Sequence, residues 1–448
     1  DVDPSELEGR RKGLAEYGPR VNFPNPWKGG AWRLRDILDY GRIASDAALE
    51  WVADHREDVL RNMATRARAT IDAAHDGEAY LVPADQRDPA AARWLTGLMA
   101  EHGVEVRRAP DGDVWIPLGQ PYARFVREMM EPQRYPEVRP APGADPYRPY
   151  DVSAWTLPLM MGVDVRKTTR PGGLDLERLD RVAPDAEPPI PTGGAGRARA
   201  RVATYQPWQP SRDEGWTRWV LERAGYEPGG LHADQIAGGR LDEYDALVLA
   251  DIAPDVLQDG ERERDEGDLP YRREMPPGHR GGLGEAGASA IERFVEGGGT
   301  LVAFDSATDW VIERFVLPVR NALATTSSSE FSSPGSILRA LAEPDHPVTA
   351  SLPDTLAIFL DDATAFETVS PGPEIERTVL LRYPADERDI LLSGWIRGAE
   401  RLERRAAAVA LTYGEGRIVL IGFRPQFRGQ TAATFPLLFD AIEWGGGR

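Results

Sequence analysis

The feature that most limits what this chain can fold into is a series of short apolar runs in its second half. Ala246-Leu-Val-Leu-Ala250 and Thr300-Leu-Val-Ala-Phe304 show no polar alternation, and Arg201-Val-Ala-Thr-Tyr205 is a shorter run of the same kind. Strands without alternation are buried on both faces. Helical segments separate them, at 214–224 and at 285–296, the second stopped by Gly297-Gly-Gly299. Ala407–Thr412 and Arg417–Ile421 read as a hairpin turned at Tyr413-Gly-Glu-Gly416, and Phe435–Trp444 as a closing helix. Strands alternating with helices give a parallel sheet covered on both faces. The reading for 199–448 is therefore an α/β, doubly wound, flavodoxin-like domain.

The first half is organised differently. Residues 77–182 read as a small α/β middle domain, with strands at 79–82, 104–107 and 114–117. A helix opened by Asp88-Pro89 runs to about Glu101, and a short one spans about 122–130. Residues 131–150 are rich in Pro and Tyr and read as an ordered loop. Residues 183–198, Pro-rich and then Gly-rich, read as a linker. Residues 1–76 hold a Pro/Gly/Trp-rich loop and one long amphipathic helix, with Ile37, Tyr40, Ala44, Ala47 and Trp51 on one face and Asp36 as its cap. A single helix has little to pack on, so this region reads as the end of a domain.

Lys and Arg number 53 and Asp and Glu 72, a net charge of −19. That balance excludes nucleic acid as a partner, because phosphate binding needs clustered cations. No apolar run reaches the roughly 18 residues of a membrane span. There is no cysteine, so thiol nucleophiles and Cys-based zinc sites are ruled out. The chain opens Asp1-Val2-Asp3 without Met, from which a removed leader or a longer parent chain is expected.

Candidate sites follow from position. Tyr205, Trp208, Trp216 and Trp219 surround the loop after the first strand of 199–448, and Arg212, Asp213 and Glu214 read as part of that loop. Loops at the carboxyl ends of parallel strands are the usual ligand position. Trp208, Arg212, Glu214 and Trp216 are thus ligand-binding candidates, with core packing the alternative, above all for Trp219. Asp305 and Ser306 follow a buried strand where a hydrolase would place its nucleophile. Their neighbours Phe304 and Ala307 break the Gly-x-Ser-x-Gly elbow, and His346 is the one histidine downstream. A helix cap is the plainer role for Ser306. Gly282-Leu-Gly-Glu-Ala-Gly287 matches a dinucleotide fingerprint and would suit a phosphate-bearing ligand, but a polar run precedes it where a strand should stand. Two His-x-x-Glu frames, His75/Glu78 and His102/Glu105, straddle helix-to-strand changes and read as chance matches. No residue is assigned as catalytic or as a metal ligand. Asp361-Asp362 and Asp386-Glu387 read as solvated turns.

Several long phrases are similar to a known family. Tyr17-Gly-Pro-Arg-Val-Asn-Phe-Pro-Asn-Pro-Trp-Lys-Gly-Gly30, Tyr80-Leu-Val-Pro-Ala-Asp-Gln86, Leu118-Gly-Gln-Pro-Tyr122, Glu131-Pro-Gln-Arg-Tyr-Pro136 and Pro149-Tyr-Asp-Val-Ser-Ala-Trp-Thr-Leu-Pro158 resemble large bacterial zinc carboxypeptidase-like proteins. Asp213–Trp219 and Ile421–Gln426 resemble their last, class I glutamine-amidotransferase-like domain. The resemblance implies that 1–76 ends a carboxypeptidase A-like domain whose zinc ligands and catalytic Glu precede the Asn22–Trp27 segment. It also implies an upstream peptidase domain as partner, zinc only in the full-length protein, and a periplasmic or extracellular site. An amidotransferase needs a Cys nucleophile, which this chain lacks. The expectation is a non-catalytic C-terminal portion of a zinc metallocarboxypeptidase-like protein. The alternative is a ligand-binding or small-molecule hydrolase module in the last domain.

Overall fold

Parallel strands in the second half are arranged by their register. The computed structural model describes residues 1–3, 7, 17–19, 21, 23–139, 141–179, 199–209, 211–260, 276, 278–361, 364–370 and 375–445. It divides into two units, 1–69 with 264–273, and 70–263 with 274–448. The expected linker at 183–198 lies outside the described residues.

In the first unit two helices replace the single expected one, α1 (Leu34–Asp54) and α2 (Arg56–Asp72), which continues past the unit's last residue. Asp36 stands three residues inside α1 rather than before it. Its carboxylate accepts the Arg33 N–H at 2.7 Å, so it caps from within the first turn. No residue of α1 is buried.

In the second unit, β1 (Glu78–Val82), β2 (Arg107–Arg108), β3 (Val114–Pro117), β4 (Arg166–Thr169) and β5 (Glu177–Arg178) form an antiparallel sheet in the order β4-β1-β3-β2-β5. The strand expected at 104–107 pairs only from Arg107. Val104 and Val106 are buried, and Val106 O accepts the Leu179 N–H at 2.9 Å just before the paired residues. Helices α3 (Pro89–Glu101), α4 (Ala123–Met130) and α5 (Leu157–Met161) accompany this sheet. Asp88 caps α3, accepting the N–H groups of Ala90 and Ala91, and Pro89 occupies its first position. Leu95, Met99, Ile116 and Val126 fill the core beneath.

The large sheet begins with β6 (Val202–Tyr205), β7 (Gly229–Leu231), β8 (Ala246–Leu249) and β9 (Thr300–Phe304). Then come β10 (Val319–Asn321), β11 (Ser336–Ala342), β12 (Thr355–Leu360), β13 (Phe366–Thr368), β14 (Arg377–Arg382) and β15 (Leu391–Ser393). The last two strands are β16 (Ala406–Tyr413) and β17 (Gly416–Ile421). β7, β6, β8, β9 and β17 run parallel in that order. Counted along the chain this is 2-1-3-4-5, the flavodoxin-like strand order. The expected hairpin is present as β16 and β17, with Tyr413 opposite Gly416. Beyond it the sheet continues antiparallel through β16, β14, β11 and β12, an extension absent from the sequence reading.

Side-chain alternation sends each strand's residues to two cores. Val202, Val248, Val302 and Val419 face α6 (Arg212–Arg223) and α11 (Phe435–Glu443). Ala203, Leu247, Leu301 and Leu420 face the other side. That side is covered by α7 (Ala233–Ala237), α8 (Pro254–Asp259), α9 (Gly284–Glu296) and α10 (Ala307–Arg314). Helices on both faces make the domain doubly wound, as expected. Among the described residues, no helix is long and apolar enough to cross a membrane.

Candidate functional site

The order 2-1-3-4-5 puts a switch point between β6 and β8, where the connections leave in opposite directions. In sheets of this order the ligand crevice lies there, at the strands' carboxyl ends. Four aspartates reach it from four places in the chain. Asp213 lies in the first turn of α6, Asp251 two residues past β8, Asp305 one past β9, and Asp361 one past β12. All four face Arg424, three residues beyond β17. Arg424 Nη2 donates to Asp361 Oδ2 at 2.7 Å. Its Nη1 lies 3.6 Å from Asp213 and 3.9 Å from Asp251, and its Nε 3.6 Å from Asp305. The guanidinium side chain is only 14% exposed.

Asp305 is the most constrained member. Its backbone is left-handed, φ +48°, which a non-glycine residue adopts at a cost. The turn is pinned by Asp305 N–H to Ile421 O at 2.8 Å and by Thr308, which donates its N–H and hydroxyl to Asp305 O. Burial pushes the Asp305 carboxyl well above the ordinary carboxylate range. The Asp251, Asp213 and Asp361 charges add to that, and Arg424 opposes it. Asp213 is also raised, first by burial and then by Asp251, again against the pull of Arg424. Burial works against the charge on Arg424, but the four carboxylates outweigh it and hold the guanidinium more firmly protonated. The Tyr383 hydroxyl, buried and under the field of Asp305, has no hydrogen-bond partner among the described residues. Four carboxyl groups outnumber the one guanidinium they surround, and burial resists the charge on Asp305 and Asp213. Such a site favours a ligand that brings hydrogen-bond donors or positive charge.

Ser306 takes the position before α10, but its hydroxyl makes no cap hydrogen bond. This corrects the expected capping role. Its N–H instead reaches Asp251 Oδ1 at 3.3 Å. His346 packs on Trp444 at 4.8 Å between ring centres, so no Ser-His pair forms.

Arg212, Asp213 and Glu214 stand in the first turn of α6, not in the preceding loop as expected, because Ser211 caps the helix early by accepting the Glu214 N–H. Arg212 is exposed. Glu214 is 4% exposed and is held inward by the Thr204 hydroxyl at 3.0 Å and by Arg218 at 3.4 Å. It braces β6 against α6 and does not join the aspartates around Arg424. The expected aromatic cluster splits in two. Trp208 stacks on His232, rings 3.8 Å apart and 9° from parallel, with His279 edge-on at 4.6 Å. His232 Nδ1 donates to Gln206 O at 2.7 Å. Trp216 and Trp219 meet edge to face at 5.7 Å. Tyr205 points into the core under α7 to α10.

The glycine motif is not a dinucleotide turn. α9 starts at Gly284, inside the motif, and the regular element described before it is α8, not a strand. Gly282 lies so close to the carbonyl end of α8 that an added Cβ would meet Leu257 O at 2.4 Å. Both His-x-x-Glu frames are engaged locally. Glu78 pairs with Arg127 and Lys167, and Glu105 with Arg107. Among the described residues no group of three His, Asp or Glu side chains could hold a metal ion.

Asp361, expected on a solvated turn, belongs to the crevice, while Asp362 lies outside the described residues. Asp386 and Glu387 do sit on an exposed turn, with Asp386 paired to Arg388. The sequence reading missed Arg424, Asp213, Asp251 and Asp361 as site residues. For Arg424, Asp251 and Asp361 the available signal was positional, since each is a charged residue one to three places after an apolar strand, whereas Asp213 was read only as part of the loop before α6.

No family model and no curated protein matches the chain. Among solved structures, it is similar to a ThuA-like protein of Bacteroides uniformis, at 13% identity over 56% of this chain and 94% of that one, TM-score 0.33. A GMP synthase subunit from Thermoplasma acidophilum shares 10% identity over 55% of this chain and 97% of its own, TM-score 0.31. A β-galactosidase of Bacillus circulans shares 14% over 56% of this chain and 31% of its own, TM-score 0.30. The strand order, not these loose alignments, carries the fold assignment.

Proposed function

We propose that the 199–448 domain is a small-molecule-binding module whose site is the crevice around Arg424. One observation supports this above the others: three aspartates from separate strand ends and one from the first turn of α6 converge on a single, mostly buried guanidinium. The ligand class that complements it is an amine or a polyhydroxylated molecule, able to donate hydrogen bonds to carboxylates. Amidotransferase chemistry is outside this reading, since the chain has no cysteine. The sequence resemblance extends the proposal to the whole chain as the non-catalytic C-terminal portion of a zinc metallocarboxypeptidase-like protein. In that protein zinc would be held by the upstream peptidase domain. The residues described here offer it no site.

The test is a thermal-shift screen of amines and sugars against wild type and Asp361→Asn. A ligand at about 100 times its Kd stabilises by about 2.7 kcal/mol. A hit that is weakened in the variant supports the module. A panel without any shift counts against it.

Asp305 gives a second reading specific support. A buried carboxyl whose pKa is raised, carried on a left-handed turn at a strand end, has the placement of a hydrolase acid or nucleophile. Turnover of an ester or amide panel that is lost in Asp305→Asn would support a hydrolase. Turnover equal in wild type and variant ends that reading.

A further inference from the structure

The crevice around Arg424 leaves three separated segments of the chain unused. Glu131-Pro-Gln-Arg-Tyr-Pro136, Val152-Ser-Ala-Trp-Thr156 and Ser393-Gly-Trp395 are far apart in the chain, yet they share one buried polar network. Ser393 Oγ accepts the Gln133 N–H at 2.8 Å and lies 2.9 Å from Thr156 Oγ1. Gln133 Oε1 accepts the Trp155 N–H and the Thr156 hydroxyl, both at 2.9 Å. Trp395 N–H is shared between Ser153 and Ser336 hydroxyls at 3.2 and 3.1 Å. Ser153, Thr156, Ser336 and Ser393 are all at most 1% exposed. Gly394, at φ +103°, passes between Ser153 and Ser336 where a Cβ would come within 2.9 Å of both hydroxyls. The network clamps the backbone of 133–134 to that of 393–395, and a bridge pairs Arg134 with Gly394.

Above this clamp is a cavity of about 480 Å³, within the usual range for small-molecule sites. Three arginines line it, Arg134, Arg139 and Arg397, together with Tyr135 and Trp395. Its acidic lining residues are Glu137 and Asp145, so the wall carries one excess positive charge in a chain of net charge −19. Arg397 is fixed by Pro146 O at 3.1 Å, Ser329 O at 3.4 Å and Asp145 at 3.5 Å, with its guanidinium 5.7 Å from the centre of the Trp395 ring. Arg139 is held by Glu137 and Ala144 O. The Arg134 guanidinium has no partner among the described residues. A held cation, a free one and an aromatic wall are the elements that recognise a carboxylate with a flat body attached.

We propose that this cavity is a second binding site, for a small organic carboxylate whose anionic end meets Arg134 and Arg397 and whose flat body lies along Trp395 and Tyr135. It is independent of the Arg424 crevice and opposite to it in charge preference. Isothermal titration calorimetry of the intact chain tests it with benzoate and with its neutral counterpart benzamide. Expected is saturable one-to-one binding of benzoate with a Kd on the order of 1 mM or below, and none of benzamide. Arg134→Gln, which removes an exposed and unpaired side chain, should weaken benzoate about tenfold. Arg35→Gln, the same charge loss on α1, should leave it unchanged. Failure of benzoate to saturate in wild type overturns the proposal. So does equal binding of benzamide, or equal benzoate affinity in Arg134→Gln.

Discussion

Replacing Arg424 with methionine is the sharpest probe of the crevice. The change keeps most of the stem's volume and removes the one cation that Asp213, Asp251, Asp305 and Asp361 share at 2.7 to 3.9 Å. Deleting one partner of a buried ion pair costs about 3–5 kcal/mol, because the other is left charged in a poor solvent. Asp305, with a side chain 6% exposed, carries most of that cost, and Asp361, at 35%, carries little. For a domain of this size, 1 kcal/mol moves Tm by about 2–4 °C, so the expected loss at neutral pH is about 6–20 °C. The sign of the pH dependence follows from the directions of the shifts. Asp305 and Asp213 have folded-state pKa values above their unfolded ones. Their contribution therefore favours the fold at low pH and is lost as pH rises through the folded values. Arg424→Met steepens that loss, so the gap between variant and wild type should narrow on acidification. Chemical denaturation at pH 7 and pH 5, with Arg424→Met/Asp305→Asn completing a double-mutant cycle, measures both effects. A single variant within 1 kcal/mol of wild type at pH 7, or a gap that widens at pH 5, would refute the description of this cluster as a buried and unbalanced charge site.

Three further outcomes are expected. Asp305→Asn removes the residue whose ionisation opposes folding, so its stability at neutral pH should equal or exceed wild type, with a flatter profile between pH 5 and 8 in denaturant titrations. Gly394→Ala forces a Cβ between two buried hydroxyls at a left-handed position. It should cost about 1–3 kcal/mol by denaturant melts and weaken benzoate in the same preparation. Asp88→Ala leaves two N–H groups at the start of α3 without their acceptor and should cost about 1 kcal/mol, read by thermal melting.

The apolar runs at 246–250 and 300–304, the helix stop at Gly297 and the Asp88-Pro89 start were legible because they depend on local rules. Burial on both faces, the left-handed glycine just past that stop (Gly298, φ +105°) and helix capping each act over a few residues. The alternation of strand and helix was enough for a doubly wound sheet. Local pattern does not carry pairing partners. The antiparallel extension through β14, β11 and β12 depends on which edge of the sheet accepts a new strand, and no spacing records that. The crevice was half visible for the same reason. Asp305 stood out because it ends a buried strand, whereas Asp361 looked like any acidic turn until Arg424, 63 residues later, was placed beside it. Glu214 shows the opposite error. Its position after β6 marked it for a ligand, and the Thr204 hydroxyl turned it inward.

The sequence by itself determined the parallel strands at 202–205, 246–249 and 300–304, the 406–421 hairpin, the doubly wound class, and the exclusion of thiol chemistry, since these rest on residue type and short-range periodicity. The tertiary structure alone decided that four aspartates share one guanidinium and that three arginines wall a cavity in an acidic chain. Electrostatic fields and cavities are sums over neighbours in space, and a strand order of 2-1-3-4-5 makes neighbours of residues that the chain keeps tens to hundreds of positions apart.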